Sequence, residues 1–222
     1  VPAYVLAVFD LDGTLVDSRR DLADASNEML ASYGAAPLDE DAVGRMVGEG
    51  AGTLVTRLLA ARQLEVPHAE ALARYLAAYD GRLLDHTRPY DGIPEALDAI
   101  APGARLAVLT NKPALATGRI LEALDLRRRF EWVIGGDSEH GRKPDPAALH
   151  WLMGQAGVDA RDTVMVGDSA TDFRTARAAG ATSCIVRFGF GFLNMPPGLL
   201  DGDVLIVDHP SEIPAALTAW RR

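Results

Sequence analysis

Four short apolar runs recur along the chain without clean alternation: Val5-Leu6-Ala7-Val8-Phe9, Leu106-Ala107-Val108-Leu109, Trp132-Val133-Ile134 and Thr163-Val164-Met165-Val166. Each is strand-length, and each is followed by a helical pattern. A strand with one face in water alternates apolar and polar residues. A continuous apolar run instead marks a strand buried on both faces, and crossover helices are what bury it. The runs therefore point to an α/β fold, a Rossmann-like parallel sheet core flanked by helices. The spacing predicts helices over roughly 93–101, 113–125, 145–157 and 171–180, further strands at 183–186 and 204–207, and a last helix near 211–220. Pro113 and Pro146 are expected at the first helical position, where a missing N–H does no harm, with Asp145 as an N-cap.

Between the first two runs the pattern changes. Residues 17–88 carry helical periodicity and no convincing strand: Leu22, Ala25, Met29, Leu30 and Tyr33 share one face. Leu54, Leu58 and Leu59 do so in a second segment, and Leu72, Tyr75, Leu76 and Tyr79 in a third. The expectation is a discontinuous α/β core, 1–16 and 89–222, with an all-α cap of residues 17–88 inserted after the first strand. The chain would cross between them near Asp17-Ser18 and again near Arg88-Pro89-Tyr90-Asp91-Gly92. Paired crossings make a natural hinge for a lid.

The totals bound the function. At 222 residues with 48% hydrophobic side chains, the chain can fill a core of its own plus a smaller appendage. No apolar run approaches the ~18 to 20 residues of a membrane span, and no cationic-then-apolar leader is read. The single Cys184 forms no intrachain disulfide, and its apolar neighbours predict a buried thiol in a cytoplasmic protein. A formal charge of −9 argues against a nucleic-acid or anionic-membrane surface. Among the cations there are twenty Arg and two Lys, Lys112 and Lys143. Lysine survives such a bias where a compact, flexible point charge is needed.

Both lysines fall where the strands end. The first strand leads into Asp10-Leu11-Asp12-Gly13-Thr14, the second into Thr110-Asn111-Lys112. The third is followed by Arg142-Lys143-Pro144-Asp145, the fourth by Gly167-Asp168-Ser169-Ala170-Thr171-Asp172. Ligands of open parallel sheets bind at the carboxyl ends of the strands. Asp10, Asp12, Asp168 and Asp172 are hard oxygen donors with no Cys or His at ligand spacing, a set suited to Mg²⁺. Thr110, the amides opening the next helix and Lys143 offer donors and a cation to an anion. Metal and lysine beside carboxylates point to phosphoryl transfer. Asp10 can attack as a nucleophile, while Asp12, two residues on along the strand, moves protons. Structural uses stay open for single residues. Asp12 and Thr14 would suit a tight turn at Gly13, and Asp172 the first turn of a helix. His68, His86, His140, His150 and His209 lack ligand spacing and read as structural or solvated. The run Phe188-Gly189-Phe190-Gly191-Phe192 reads as a packed loop.

In order and spacing, D-L-D-G-T-L-V-D-S, T-N-K, K-P-D-P and G-D-S-A-T-D resemble the four motifs of the haloacid dehalogenase-like superfamily. The helical insert lies where that superfamily carries its small cap. The resemblance implies Asp10 as nucleophile and Asp12 as general acid/base. It implies Mg²⁺ on Asp10, the Asp12 backbone carbonyl and Asp168, with Asp172 orienting metal-bound water or Lys143. Thr110 and the Asn111 amide would hold phosphate oxygens, and Lys143 would neutralise the nucleophile and the phosphoryl group. Lys112 is left as a surface or a cap-facing lysine.

Asp12 separates the branches of that superfamily, because haloacid dehalogenases lack this second aspartate and phosphatases and mutases have it. Phosphonate hydrolases of this fold use a cap lysine, and residues 17–88 contain none. The Gly-rich turn from Gly44 to Gly52 resembles the specificity loop of phosphoglycolate phosphatases. That likeness makes Arg45, Glu49 and Gly50 candidate specificity residues, Arg45 reading a carboxylate. The expected activity is Mg²⁺-dependent hydrolysis of a small phosphorylated metabolite such as 2-phosphoglycolate through an aspartyl-phosphate, by a monomer or homodimer. A β-phosphoglucomutase-like mutase, a pyrophosphatase and a broad nucleotide or sugar phosphatase are alternatives. An idle phosphate-binding regulator is a distant one.

Overall fold

A computed structural model describes residues 5–219. The strands in chain order are β1 (Leu6–Phe9), β2 (Val16–Asp17), β3 (Arg88–Pro89), β4 (Arg105–Leu109), β5 (Trp132–Ile134), β6 (Thr163–Gly167), β7 (Thr182–Val186) and β8 (Val204–Val207). Six of them form one sheet in the order β5-β4-β1-β6-β7-β8, and every pairing in it is parallel. β1 lies inside, with Leu6 opposite Arg105 of β4 and Thr163 of β6. All four of its residues are buried. Alternate side chains feed two different cores. Ala7, Phe9, Val108 and Val166 join one cluster. Leu6, Val8, Leu109 and Met165 join the other, against Leu149 and Leu152. This two-sided burial is why the runs do not alternate.

Four helices follow β2: α1 (Arg19–Ala31), α2 (Glu40–Gly44), α3 (Ala51–Ala61) and α4 (His68–Asp80). Leu22, Ala25, Met29 and Leu30 bury the inner face of α1, and Leu54, Leu58, Tyr75 and Tyr79 meet them in the same cluster as Phe9. The remaining helices α5 (Ile93–Ile100), α6 (Ala114–Ala123), α7 (Ala147–Ala156), α8 (Ala170–Ala178) and α9 (Ile213–Ala219) flank the sheet sequence. The expected last helix begins at Ile213 after a 3₁₀ turn at Pro210–Glu212, and its position 220 lies outside the described residues. Pro113 and Pro146 sit one position earlier than expected, at the N-caps of α6 and α7. The Pro113 carbonyl accepts the first helical bond, from Thr117 N at 3.0 Å. Asp145 serves α7 from one residue further out, accepting from Ala147 N at 2.9 Å.

The two crossings between the helical segment and the sheet are tied to each other. β2 and β3 form an antiparallel ribbon, Val16 opposite Pro89 and Asp17 opposite Arg88. Arg19 grips Asp17 through Nε at 3.1 Å and Nη2 at 2.8 Å. Asp21 is fully buried. Its carboxylate accepts from His86 N at 3.0 Å, Thr87 N at 2.8 Å and Thr87 Oγ1 at 2.7 Å. A buried carboxyl group with no ion pair among the described residues persists here because donors surround it.

Candidate active site

The parallel arrangement carries the ends of β1, β4 and β6 to one edge, and their side chains meet there. Lys143 Nζ lies 2.8 Å from Asp10 Oδ1 and 2.6 Å from Asp172 Oδ1, with all three side chains buried. Asp10 Oδ1 also accepts from Leu11 N at 2.7 Å. Asp172 has two duties: its Oδ2 accepts from Ser169 N at 3.0 Å and Ser169 Oγ at 2.6 Å, a capping box that opens α8. Asp172 thus caps α8 and also contacts Lys143.

Asp168 ends the β6 loop and is held differently. Its Oδ2 accepts from Gly191 N at 2.7 Å, and three glycines wrap its carboxyl group. A Cβ on Gly13, Gly189 or Gly191 would overlap it, and Gly13 has φ +82. Carboxylate oxygens of Asp10, Asp168 and Asp172 come within 4.8 Å of one another. Burial, offset by Lys143, pushes the Asp10 carboxyl up to about 6. Burial and then the neighbouring Asp172 and Asp10 raise Asp168 well above the usual carboxylate range. Burial alone would lower Lys143, but Asp10 and Asp172 outweigh it and hold the ammonium above its ordinary pKa. Of three buried carboxylates, two thus share one ammonium and the third, Asp168, is held by a backbone N–H. Such an excess of hard negative oxygens fits a divalent cation, and the close glycine wrapping of Asp168 fixes one donor in advance.

The end of β4 closes the other side. Thr110 is buried, and its Oγ1 accepts from Lys112 N at 3.2 Å. The Asn111 side chain, expected only to lend its amide, donates to Gly48 O at 3.0 Å and Lys143 O at 2.9 Å. It thereby joins the Gly-rich turn to the K-P-D-P loop. Lys112 is no surface lysine. It is buried, with Nζ 2.9 Å from Asp12 Oδ1, 2.8 Å from Oδ2 and 4.6 Å above the Tyr79 ring. Ser18, which opens α1 without a side-chain capping bond, donates its hydroxyl to Asp12 Oδ1 at 2.6 Å. Of the two places the sequence leaves for Lys112, surface or cap-facing, the contact with Tyr79 of α4 matches the second, while the pairing with Asp12 is not signalled in the sequence.

A cavity of about 300 Å³ opens over these residues. Asp10, Asp12, Thr110, Asn111 and Lys112 line it from the sheet side, and Val47, Leu54, Tyr75 and Tyr79 from the helices. Gly50 is on its wall. Arg45 and Glu49 are not among its lining residues. Arg45 is exposed at the C-cap of α2, its backbone carbonyl taken by Asn194 Nδ2. Glu49 turns outward to pair with Arg57. With φ +120 at Gly48 and +88 at Gly50, the turn brings backbone rather than a charged side chain to the cavity.

Strand-end carboxylates, a buried lysine and a helix-lined cavity thus meet at one edge of the parallel sheet, and the carboxylates are compatible with a divalent cation. Residues 7–186 match the haloacid dehalogenase-like hydrolase family. The chain is 38% identical to the phosphoglycolate phosphatase of Agrobacterium fabrum, over 96% of this chain and 93% of that one. It is 46% identical to that of Rhodospirillum rubrum, over 82% of this chain and 79% of that one. The crystal structure of a predicted phosphoglycolate phosphatase from Haemophilus somnus superposes with a TM-score of 0.89 at 30% identity, covering 96% of this chain and 97% of that one. This chain belongs to the haloacid dehalogenase-like hydrolase family. Among the described residues no helix is long and apolar enough to cross a membrane.

Proposed function

We propose that the chain is a Mg²⁺-dependent phosphatase acting on a small phosphorylated metabolite, 2-phosphoglycolate foremost. The observation that carries this is the buried trio Asp10, Asp168 and Asp172, whose Asp10 pairs with Lys143 and lines the cavity. The names of the curated relatives supply the substrate.

In this reading Asp10, the Asp12 backbone carbonyl and Asp168 hold the ion. Mg²⁺ bound there would screen charge on the phosphoryl group and favour the ionised form of the carboxylates. Asp10 attacks phosphorus with one carboxylate oxygen as the bond to the ester oxygen breaks, and Asp12 gives its proton to that departing oxygen. Water then attacks the aspartyl-phosphate, Asp12 takes its proton, and Asp10 is released with inorganic phosphate. Lys143 offsets charge on Asp10 and the phosphoryl oxygens, and Asp172 holds Lys143 in place. Thr110 and the Asn111 amide bind phosphate oxygens. Residues 17–88 act as a cap over the discontinuous core of 1–16 and 89–222, excluding water during attack and admitting it for hydrolysis.

The test is phosphate release from 2-phosphoglycolate, sugar phosphates, nucleotides and pyrophosphate at fixed Mg²⁺, with EDTA and Asp10→Asn controls. β-Glucose 1-phosphate is followed for glucose 6-phosphate formation. A kcat/KM for 2-phosphoglycolate ~100-fold above the rest, about 2.7 kcal/mol of discrimination, is the expected result. A flat profile would remove the substrate assignment. Phosphate release surviving Asp10→Asn would remove the mechanism.

A further inference from the structure

The cavity's electrostatics pose a problem for an acidic ester. Asp10, Asp12 and Asp80 line it, and Leu22, Val47, Leu54 and Leu83 make much of the rest of its wall apolar. Arg45, expected to read a carboxylate, is outside. Among the lining residues described, the one cation is Lys112. A carboxylate entering this space meets no other cation among those lining residues.

Lys112 is placed for that meeting. An ammonium carries three donors. Two reach Asp12, at 2.9 and 2.8 Å, which leaves one. The ammonium is fixed from below by the Tyr79 face at 4.6 Å. Tyr79 brings a second donor: the residue lines the cavity and is 5% exposed, and its buried hydroxyl has no hydrogen-bond partner among the described residues. An unpaired buried hydroxyl costs ~1 to 3 kcal/mol until an acceptor arrives. The two lysines also divide the reaction centre, Lys143 on Asp10 and Lys112 on Asp12. The ester oxygen departs toward Asp12, so the group attached to that oxygen lies on the Lys112 side. In a phosphorylated 2-hydroxy acid of two carbons, the carboxylate is one methylene from that oxygen.

We propose that Lys112 Nζ and the Tyr79 hydroxyl form a carboxylate-binding subsite that selects esters with an acidic leaving group. The proposal rests on the phosphatase reading above and names the residues that give it its substrate. Sheet and helices contribute one donor each, so an acidic substrate binds both units at once, whereas a neutral ester binds the core alone.

The test compares 2-phosphoglycolate with ethyl phosphate, which lacks the carboxylate, in the Mg²⁺-loaded wild type, Lys112→Met and Tyr79→Phe. Binding of both esters to the Asp10→Asn protein, with and without Lys112→Met, is measured by calorimetry. Loss of a charged hydrogen bond predicts that Lys112→Met cuts the preference for 2-phosphoglycolate by ~10- to 100-fold, in kcat/KM and in affinity. Tyr79→Phe, with a neutral donor lost, cuts it by ~3- to 10-fold. If Lys112→Met slows both esters equally, Lys112 acts only by positioning Asp12, and the subsite is overturned while the phosphoglycolate reading stands. A wild type equally active on both esters removes that reading, and the subsite with it. Should Lys112→Met fail to fold, Tyr79→Phe decides alone, because it leaves the Lys112–Asp12 pair in place; an unchanged preference there overturns the subsite.

Discussion

Three clustered carboxylates with one ammonium, paired to Asp10 and Asp172, should make the metal-free protein unusually sensitive to pH, with a sign opposite to ordinary acid unfolding. Burial, only partly offset by Lys143, pushes Asp10 from 3.8 up to about 6. Between those values the folded chain keeps a proton that the unfolded chain has released. Stability therefore falls as pH rises through this window, and the whole contribution is present below 3.8. At 1.36 kcal/mol per pKa unit the swing is about 3 kcal/mol. Asp10→Asn removes the titration and keeps the shape. Urea unfolding in EDTA at several pH values between 4 and 7.5, wild type against Asp10→Asn, isolates the effect. Asp168 is raised chiefly by its own burial and titrates in both proteins, so it largely drops out of the difference. Asp10→Asn should gain about 3 kcal/mol on wild type from low to high pH, and saturating Mg²⁺ should shrink that gain. A difference flat across the window, or one that runs the other way, refutes the uncompensated carboxylate and the cation argument built on it.

Three further outcomes can be checked. Gly189→Ala puts a methyl group into the Gly13 carbonyl and the Asp168 side chain; a cost of ~1 to 3 kcal/mol in urea unfolding is expected, together with a smaller rise in Tm on adding Mg²⁺. Asp21→Ala strands the His86 and Thr87 donors, so about 3 kcal/mol of stability should go, with faster proteolytic cleavage near residues 85–88. Cys184 is buried, which pushes its thiol up to about 12; it should react with a disulfide reagent only after denaturant is added.

Much of this molecule could be read in advance because its signals are local. An apolar run buried on two faces declares itself within five residues, and the residues that end it are adjacent in sequence to the strand that presents them. The strand ends signal Asp10, Lys143, Asp168 and Asp172 in that way, and the structure brings the four together; Cys184 is in the core as its apolar neighbours imply. What escaped were contacts made across the fold. Phe188-Gly189-Phe190-Gly191-Phe192 was read as a packed loop, and Phe190 is indeed buried. Its glycines, however, exist to let backbone touch Asp168, and nothing near Asp168 in sequence says so. Lys112 was undervalued because its partner Asp12 is a hundred residues away. Proximity to a glycine-rich turn likewise does not tell which way a side chain leaves it, and Arg45 is exposed while Gly50 lines the cavity.

The ribbon of β2 and β3 also bears on how the chain reaches its fold. Leu6 must find Arg105 across about a hundred residues before β1 has its first neighbour. Closing an open loop of that size costs an entropy that grows as the logarithm of its length, about 4 kcal/mol. Pairing Val16 with Pro89 and Asp17 with Arg88 clips most of that loop out. Roughly thirty free residues then remain to be closed, which lowers the cost by about 1 kcal/mol. The helices between are stabilised by nearer contacts, which form early. Assembly would then run from the periphery inward, and the strand carrying Asp10 would be paired only once the ribbon had brought its partners within reach.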